Sequence, residues 1–98
     1  MEKKLTKLKD FLLNIKTHNE EGALYLSGKG LCLSADCLIV NDEDFPDEVD
    51  GYYYYLFVDQ IKDVSDNLFF QKNDYSVAEL VKAINFYFEN DAFIELEK

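Results

Sequence analysis

The sequence predicts one α+β domain over residues 1–98, with a mostly antiparallel sheet of four to five strands covered by about three helices. The predicted order is α-β-β-β-β-α-α-β. Two observations lead to this class. Three segments repeat apolar residues at helical spacing, and short apolar or aromatic runs bounded by turn residues lie between and after them. A chain of 98 residues that is 48% hydrophobic can also bury one core.

The first predicted element is an amphipathic helix over residues 3–17. Leu5, Leu8, Leu12 and Ile15 fall at helical spacing, and lysines occupy several of the other positions. This apolar stripe is expected to face the core. A helix that binds a membrane surface or nucleic acid is the alternative, because its lysines concentrate the positive charge of the chain.

Short strands separated by turns are predicted next. Residues 23–26, 31–33 and 37–40 are apolar at consecutive positions, which is typical of strands buried on both faces or of a strongly curved sheet. Glycine, serine and aspartate between these runs favour tight turns. The loops and turns are predicted at residues 19–22, 27–30 and 34–36.

An acidic loop over residues 41–51 leads into an aromatic strand over residues 52–58. Pro46 is expected to prevent strand pairing within the loop. Aromatic content and length predict the strand, and one of its faces is expected to pack on helices. Strict alternation would place Tyr53, Tyr55 and Phe57 on one face, and Tyr52, Tyr54, Leu56 and Val58 on the other.

A second helix is predicted over residues 60–71. Ile61, Val64 and Leu68 mark one face of it by their spacing. Asp59 precedes the helix and is its predicted N-cap, because a carboxylate there can accept a hydrogen bond from an unpaired amide of the first turn.

The clearest helix signal comes after residue 75. Ser76 and Glu79 have the spacing of a capping box, in which each side chain bonds the other residue's amide. The apolar stripe of this helix runs as far as Phe88, and Asn90 is its predicted left-handed C-cap. Residues 92–96 are the predicted final strand, and a sheet with this strand at its edge is the alternative arrangement.

The charge of the chain is strongly negative and unevenly distributed. The formal net charge is −10, and all ten basic residues are lysines. Residues 1–16 contain five lysines and two acidic residues, whereas residues 17–98 contain five lysines and eighteen acidic residues. Such a field repels nucleic acid and anionic membranes and attracts basic proteins. No segment is long and apolar enough for a membrane span or a signal peptide, so a cytoplasmic protein is expected.

Catalytic and metal-binding patterns are not prominent. His18 is the single histidine, and Cys32 and Cys37 lie in apolar runs with no C-x-x-C spacing. We predict reduced, buried cysteines that could face each other across a tight hairpin. The sequence therefore predicts no catalytic residue, no metal site and no cofactor.

The acidic loop and the strand after it form the candidate binding site. Carboxylates can pair with the lysines and arginines of a basic partner, and tyrosines combine a large contact area with a polar tip. The tyrosines could instead belong to a core on both strand faces. The loop could be a solvated loop or a weak calcium site that departs from the EF-hand pattern. The candidate partner-binding residues are Asp42, Glu43, Asp44, Asp47, Glu48, Asp50, Tyr52, Tyr53, Tyr54 and Tyr55.

Two segments resemble a known family. One comprises Ala23–Leu26, Gly30 and residues 36–40 followed by the acidic loop, and the other comprises residues 80–94. Together they resemble small, acidic, largely uncharacterised bacterial proteins. Some members of that family look like immunity proteins of contact-dependent growth inhibition and related polymorphic toxin systems. The resemblance implies a role and assigns no site residue.

The role that the resemblance implies is the neutralisation of a cognate toxin domain. Such a domain is often a nuclease with a basic groove, and an immunity protein blocks it by binding over the active site. The charge and the aromatic strand independently favour a basic protein partner. We expect a monomer before the complex forms. A general acidic interaction module or nucleic-acid mimic is the alternative, and an enzyme that uses a carboxylate pair is a third hypothesis.

Overall fold

An antiparallel, curled five-stranded sheet carries three helices in the part of the chain that the structure describes, which confirms the predicted α+β class. The computed structural model describes residues 2–17, 22–27 and 31–96. The observed element order is β-α-β-β-β-β-α-α, so the predicted order is wrong at both ends. The elements are β1 Glu2–Lys7, α1 Leu8–Leu13, β2 Ala23–Leu26, β3 Asp36–Asn41, β4 Glu48–Val49, β5 Tyr52–Phe57, α2 Val58–Gln71 and α3 Val77–Asn90, with a 3-10 turn at Ile15–Thr17.

The strand order is β1-β3-β2-β5-β4, and every neighbouring pair is antiparallel. The edge strands are therefore β1 and β4. Lys3 of β1 forms an ion pair with Asp50, which directly follows β4. This contact brings the two edges of the sheet together over one face, because the sheet curls as its strands twist.

The predicted first helix is wrong over its N-terminal part. Residues 2–7 form β1, which pairs with β3 along its whole length. The helix begins at Leu8, and the buried side chains Leu8, Phe11 and Leu12 keep the predicted spacing. Leu5 belongs to the strand and is 58% exposed. Pairing with β3 gives this segment a ladder of backbone hydrogen bonds, whereas an isolated short helix is marginal in water.

The predicted strand at residues 31–33 is a loop. Backbone carbonyls of this loop accept hydrogen bonds from the start of α1 instead. The amide of Leu8 donates to the carbonyl of Ala35 at 3.0 Å, and the amide of Lys9 donates to that of Leu33 at 3.2 Å. Amides in the first turn of a helix have no partner inside the helix. The loop therefore caps α1 rather than extending the sheet.

The largest buried cluster lies between the sheet and the helices. Side chains from β2, β3 and β5 meet the apolar faces of α1, α2 and α3 there. A smaller cluster lies on the opposite face of the sheet, which we call the outer face. The outer-face cluster contains Ala23, Tyr25, Leu38, Val40 and Val49, with Phe45 and Tyr52 packed against it.

A β-bulge in β5 makes the predicted alternation wrong. Leu24 pairs with Leu56 and Tyr25 pairs with Tyr54, so Tyr55 is an extra residue between two ladder positions. The bulge reverses the facing of every residue after it, because side chains alternate along a strand. The outer face consequently carries Tyr52, Tyr54 and Phe57, and the helix-facing side carries Tyr53 and Leu56.

The second helix begins two residues earlier than predicted. Val58 is its first residue and Phe57 is its N-cap. The amide of Phe57 donates to Oε1 of Gln60 at 2.9 Å, so a side chain inside the helix supports its start. Asp59 is therefore not the cap, and its carboxylate lies in the first turn, where it interacts favourably with the helix dipole.

The capping box of the last helix is confirmed, and its predicted C-cap is wrong by one residue. The amide of Glu79 donates to the Ser76 hydroxyl at 3.1 Å, and the amide of Ser76 donates to the Glu79 carboxylate at 3.1 Å. The left-handed residue is Asp91, with φ 52° and ψ 37°, rather than Asn90. Its amide donates to the carbonyl of Tyr87 at 2.8 Å, which closes the helix.

Residues 92–96 do not form the predicted final strand. The side chain of Gln71 holds this segment against the end of α2. Its Nε2 donates to the carbonyl of Ile94 at 2.8 Å, and its Oε1 accepts from the amide of Leu96 at 2.8 Å. One side-chain amide thus takes the place of the peptide group that a neighbouring strand would supply.

Some sequence predictions concern residues outside those described. They are His18, the loop at 19–21 and the turn at 28–30. Gly22 is described and is buried with φ 110°. Its carbonyl accepts from the amide of Val58 at 3.0 Å, so the start of β2 is tied to the start of α2.

Both cysteines are free thiols. Cys37 is buried in β3, and burial followed by the nearby Asp36 carboxylate raises the pKa of its thiol to about 12. Such a thiol is a poor nucleophile because its thiolate is scarce at neutral pH. Cys32 lies half-buried in the loop, with its sulfur 3.3 Å from the Ser34 hydroxyl, so its predicted strand position is wrong.

Candidate functional site

A tight hairpin connects β4 to β5 inside the predicted acidic loop. Glu48 pairs with Tyr53 and Val49 pairs with Tyr52, which contradicts the prediction of an unpaired loop up to residue 51. Pro46 lies just before the paired residues. Asp50 and Gly51 form the turn, with φ values of 53° and 85°. Positive φ at both central residues defines the type I′ turn, for which Asp-Gly is a favoured sequence.

Four aromatic rings on the outer face form a chain, which we call the aromatic cluster: Tyr25, Tyr54, Phe57 and Phe45. Their ring centroids are 5.9 Å apart for Tyr25 and Tyr54, 5.4 Å for Tyr54 and Phe57, and 5.2 Å for Phe57 and Phe45. All three contacts have edge-to-face geometry, which suits the quadrupoles of the rings. The first three rings come from the sheet, and Phe45 comes from the acidic loop.

The acidic loop is fastened to this cluster at two consecutive residues. Phe45 contributes its ring, and the carbonyl of Pro46 accepts a hydrogen bond from the Tyr25 hydroxyl. The Tyr25 side chain is fully buried in the sheet. Its pKa is raised by burial, then by Tyr54 and the carboxylates of Asp47 and Asp42, so the hydroxyl remains a donor at neutral pH.

The loop's carboxylates point mainly to solvent. Asp50 is the member with an ion pair between described residues, through Lys3. The other carboxylates of the loop form no ion pair with a described lysine, so their charge is available to a partner. Asp42 is half-buried, and the exposed residues are Glu43, Asp44, Asp47, Glu48 and Asp50.

The four predicted tyrosines do not form one surface. Tyr52 is half-buried against the outer-face cluster, and Tyr54 is partly exposed beside it. Tyr53 is 52% exposed on the opposite side of the strand. Tyr55 stacks on Phe88 of α3, with ring centroids 4.3 Å apart. The structure therefore brings Tyr52 and Tyr54 next to the loop on the outer face, places Tyr53 opposite Glu48 on the other face, and directs Tyr55 towards α3.

The Tyr55 hydroxyl is in an unusual environment. Its oxygen is buried and has no hydrogen-bond partner among the described residues. Burial, followed by the Glu89 carboxylate, raises the pKa of Tyr55 to about 12. A buried hydroxyl without a partner is costly, because it has lost its bonds to water without replacement.

The family described as Domain of unknown function (DUF7716) matches residues 5–96. The chain belongs to this family. No curated protein and no solved structure matches the chain. The matched range includes the acidic loop, the aromatic cluster and all three helices, so the candidate site lies within the DUF7716 domain.

Three residues that hold the acidic loop in place were not among the predicted partner-binding residues. Tyr25, Phe45 and Phe57 hold the loop, and each is remote from at least one of the others in sequence. An aromatic residue beside a proline inside an acidic segment was the available signal for Phe45. Asp59 also lies near the site. The pKa of Tyr54 is raised mainly by the burial of Tyr54 and then by the Asp59 carboxylate.

Neither a helix able to cross a bilayer nor a metal-ligating group occurs among the described residues of the DUF7716 domain. The helices there are too short or too polar for a membrane span. No set of three or more histidine, cysteine, aspartate or glutamate side chains converges there in a way that could hold a metal ion. The chemistry available at the acidic loop is therefore that of exposed carboxylates beside aromatic rings.

Proposed function

We propose that this protein binds and neutralises a basic protein partner, as a bacterial immunity protein does when it covers the active site of a cognate toxin domain. The partner is a nuclease-like domain whose groove binds phosphates. The acidic loop enters that groove and its carboxylates take the place of the phosphates. In this proposal the protein acts in the cytoplasm, is a monomer until it meets its partner, and performs no catalysis itself.

The attachment of the acidic loop to the aromatic cluster is the observation that carries the proposal. The Phe45 ring packs on Phe57, and the Pro46 carbonyl accepts a hydrogen bond from Tyr25. The neighbouring Glu43, Asp44 and Asp47 are exposed to solvent. A loop that is ordered before binding loses less conformational entropy when the complex forms. The ring contact of Phe45 and the hydrogen bond of Pro46 would have no role in an acidic segment that stayed mobile.

Electrostatics supports the same partner class. The net charge of −10 attracts a basic protein over long range, and this raises the rate of association. At close range, carboxylates that form no ion pair with a described lysine can bond the partner's lysines and arginines directly. Tyr54 and Phe57, each 37% exposed, border the loop and offer apolar contact area next to the charges. Anchoring aromatic groups surrounded by charges are typical of tight protein interfaces.

The test is rescue of growth. The C-terminal domain of the protein encoded directly upstream would be expressed in a bacterial host with and without this chain. We expect toxicity in its absence, normal growth in its presence, and co-purification of the two proteins. Toxicity that persists despite co-expression, or a harmless neighbour, would reject the proposal and favour a general acidic interaction module.

Charge reversal tests the role of the loop. Changing Asp42, Asp44 and Asp47 together to Lys is expected to abolish rescue and to weaken binding at least about 100-fold, because opposed charges in an interface are strongly unfavourable. The matched control changes three exposed acidic residues elsewhere, Glu2, Asp10 and Glu89, to Lys. Both variants change the net charge equally. Equal loss of affinity in the two would contradict a specific role for the loop.

A further inference from the structure

The outer side of α2 carries a second charged and aromatic stripe. Asp59, Asp63, Asp66 and Phe70 are separated by four, three and four residues, which places them along one line of a helix. All four are exposed, and Phe70 is 91% exposed. The stripe begins near Tyr54, which the Asp59 carboxylate influences, and ends at the last turn of α2.

Phe70 stands between two surface grooves. One is lined by Asp66, Phe69 and Asp74 among others, at the turn that follows α2. The other is lined by Phe70 together with Phe93 and Glu95 of the C-terminal segment. An aromatic ring with such exposure contributes nothing to this protein's own core, and it offers a ready contact for a partner.

The second groove is present without a partner, because the C-terminal segment that lines its side opposite Phe70 is held in place. Gln71 holds the backbone at Ile94 and Leu96 through two hydrogen bonds of 2.8 Å. Its Nε2 also lies 2.8 Å from Oδ1 of Asn67, one turn earlier in α2. The wall therefore keeps its place beside Phe70 without a partner.

The charge around this stripe defines the partner. Asp59, Asp63 and Asp66 place three exposed carboxylates on this side of α2. The described lysines on and around α2 are already engaged. Lys62, between Asp59 and Asp66 on the helix, is half-buried and has an interaction of its own. Lys72 bonds both oxygens of Glu79 at 3.0 and 3.1 Å, and Lys16 lies 3.8 Å from the centroid of the Phe69 ring. The stripe is therefore acidic overall and complements a basic surface. A second copy of this chain, also at −10, would be repelled.

We infer that the outer side of α2 is a docking surface for a basic protein segment that presents an apolar side chain. The apolar side chain packs on Phe70 between the two grooves, and lysines or arginines of the segment pair with Asp66, Asp63 and Asp59 in turn. This surface is separate from the acidic loop. The inference does not depend on the partner being a toxin, and it adds a second contact surface to the one proposed above.

A synthetic peptide provides the probe. It is a short helical peptide of lysine and leucine, with the leucines on one face, added to the isotope-labelled full chain. We expect amide resonances at Asp63, Asp66 and Phe70 to shift on titration. Phe70→Ala is expected to weaken binding about tenfold, as loss of an aromatic anchor does. A peptide with serine in place of leucine is expected to bind the original chain about as weakly as the leucine peptide binds the Phe70→Ala variant.

Phe86→Ala is the matched control, because Phe86 is an exposed phenylalanine on α3. This variant is expected to bind the peptide as the original chain does. Shifts confined to the acidic loop, or equal weakening by Phe70→Ala and Phe86→Ala, would overturn the inference and leave the proposed function standing. Concentration-dependent broadening at Phe70 without peptide would overturn it in favour of a second copy. Melting curves check that both variants remain folded.

Discussion

The hydroxyl of Tyr25 donates a hydrogen bond to the carbonyl oxygen of Pro46. This bond joins the fully buried centre of the sheet to the middle of the acidic loop. The neighbouring Phe45 ring packs on Phe57, so two consecutive loop residues are held by groups from different strands. The loop can therefore carry exposed carboxylates on both sides of a fixed point.

Tyr25→Phe removes this bond and keeps the ring. We expect the free energy of unfolding to fall by about 1 kcal/mol, because the hydrogen bond between the Tyr25 hydroxyl and the Pro46 carbonyl is lost. For a domain of this size that corresponds to a melting temperature lower by about 4–8 °C. Urea denaturation measures the change. Tyr53→Phe is the control, since Tyr53 is exposed, and a similar loss in both variants would contradict the role of the Pro46 bond.

Tyr55→Phe is expected to act in the opposite direction. The Tyr55 hydroxyl is buried without a hydrogen-bond partner among the described residues. Removing it should raise the free energy of unfolding by about 1 kcal/mol, since the desolvation cost disappears while the stacking on Phe88 remains. Thermal and urea unfolding provide the measurement. Destabilisation by this change would mean that the hydroxyl has a bonding role.

Alkaline pH should destabilise the fold through Tyr55 and Cys37. Folding raises the pKa of Tyr55 from 10.0 to about 12 and that of Cys37 from 9.0 to about 12. Between about pH 9 and pH 12 the unfolded chain loses these protons and the folded chain retains them, so stability falls as pH rises. Denaturation across this range tests the direction. Tyr55→Phe should lessen the loss above pH 10, and an unchanged slope would contradict the assignment.

Gly22 and Gly51 both have positive φ, yet alanine should affect them differently. A Cβ at Gly22 would lie 2.8 Å from the carbonyl oxygen of Val40, whereas one at Gly51 meets no described atom within 4 Å. Gly22→Ala should cost about 3 kcal/mol or more, from backbone strain and a clash with a sheet strand. Gly51→Ala should cost about 1–2 kcal/mol, from strain alone. Equal costs in denaturation would refute the predicted clash.

Gln71→Ala should release the C-terminal segment from α2. The amide of Leu96 loses its acceptor and should exchange hydrogen faster, and stability should fall by about 1 kcal/mol. Gln71→Glu keeps an acceptor for Leu96 but loses the donor to Ile94, so protection at Leu96 should be intermediate. Hydrogen exchange followed by NMR measures this. Full protection at Leu96 in the alanine variant would contradict the proposed attachment.

Several parts of the fold could be predicted from short stretches of sequence. The Ser76 and Glu79 capping box lies within four residues, and it defined the start of α3 correctly. The aromatic strand was also predicted correctly from its distinctive composition, whereas the predicted acidic loop contains the short strand β4. The Asp50-Gly51 turn could have been recognised from its dipeptide, and so could the stripe on α2 from its spacing, since both depend on residues close in sequence.

Other features depended on contacts between distant residues. Leu5 fits a helical stripe, but its segment pairs with β3 instead, because the side of β3 that faces away from β2 offers a ladder of backbone bonds. The Tyr55 bulge depends on how β2 and β5 align. Residues 92–96 have the composition of a strand but meet the Gln71 amide rather than a sheet edge. None of these outcomes is encoded within one element.

The sequence by itself determined the α+β class, the concentration of negative charge after residue 16, and the helix signals around Ser76, because composition, spacing and capping act over a few residues. Only the tertiary structure decided which tyrosines border the acidic loop. A single extra residue in β5 moves Phe57 to the outer face and directs Tyr55 towards α3. The physical reason is that facing in a strand depends on the register with its neighbour, and that register is set by the packing of the whole sheet.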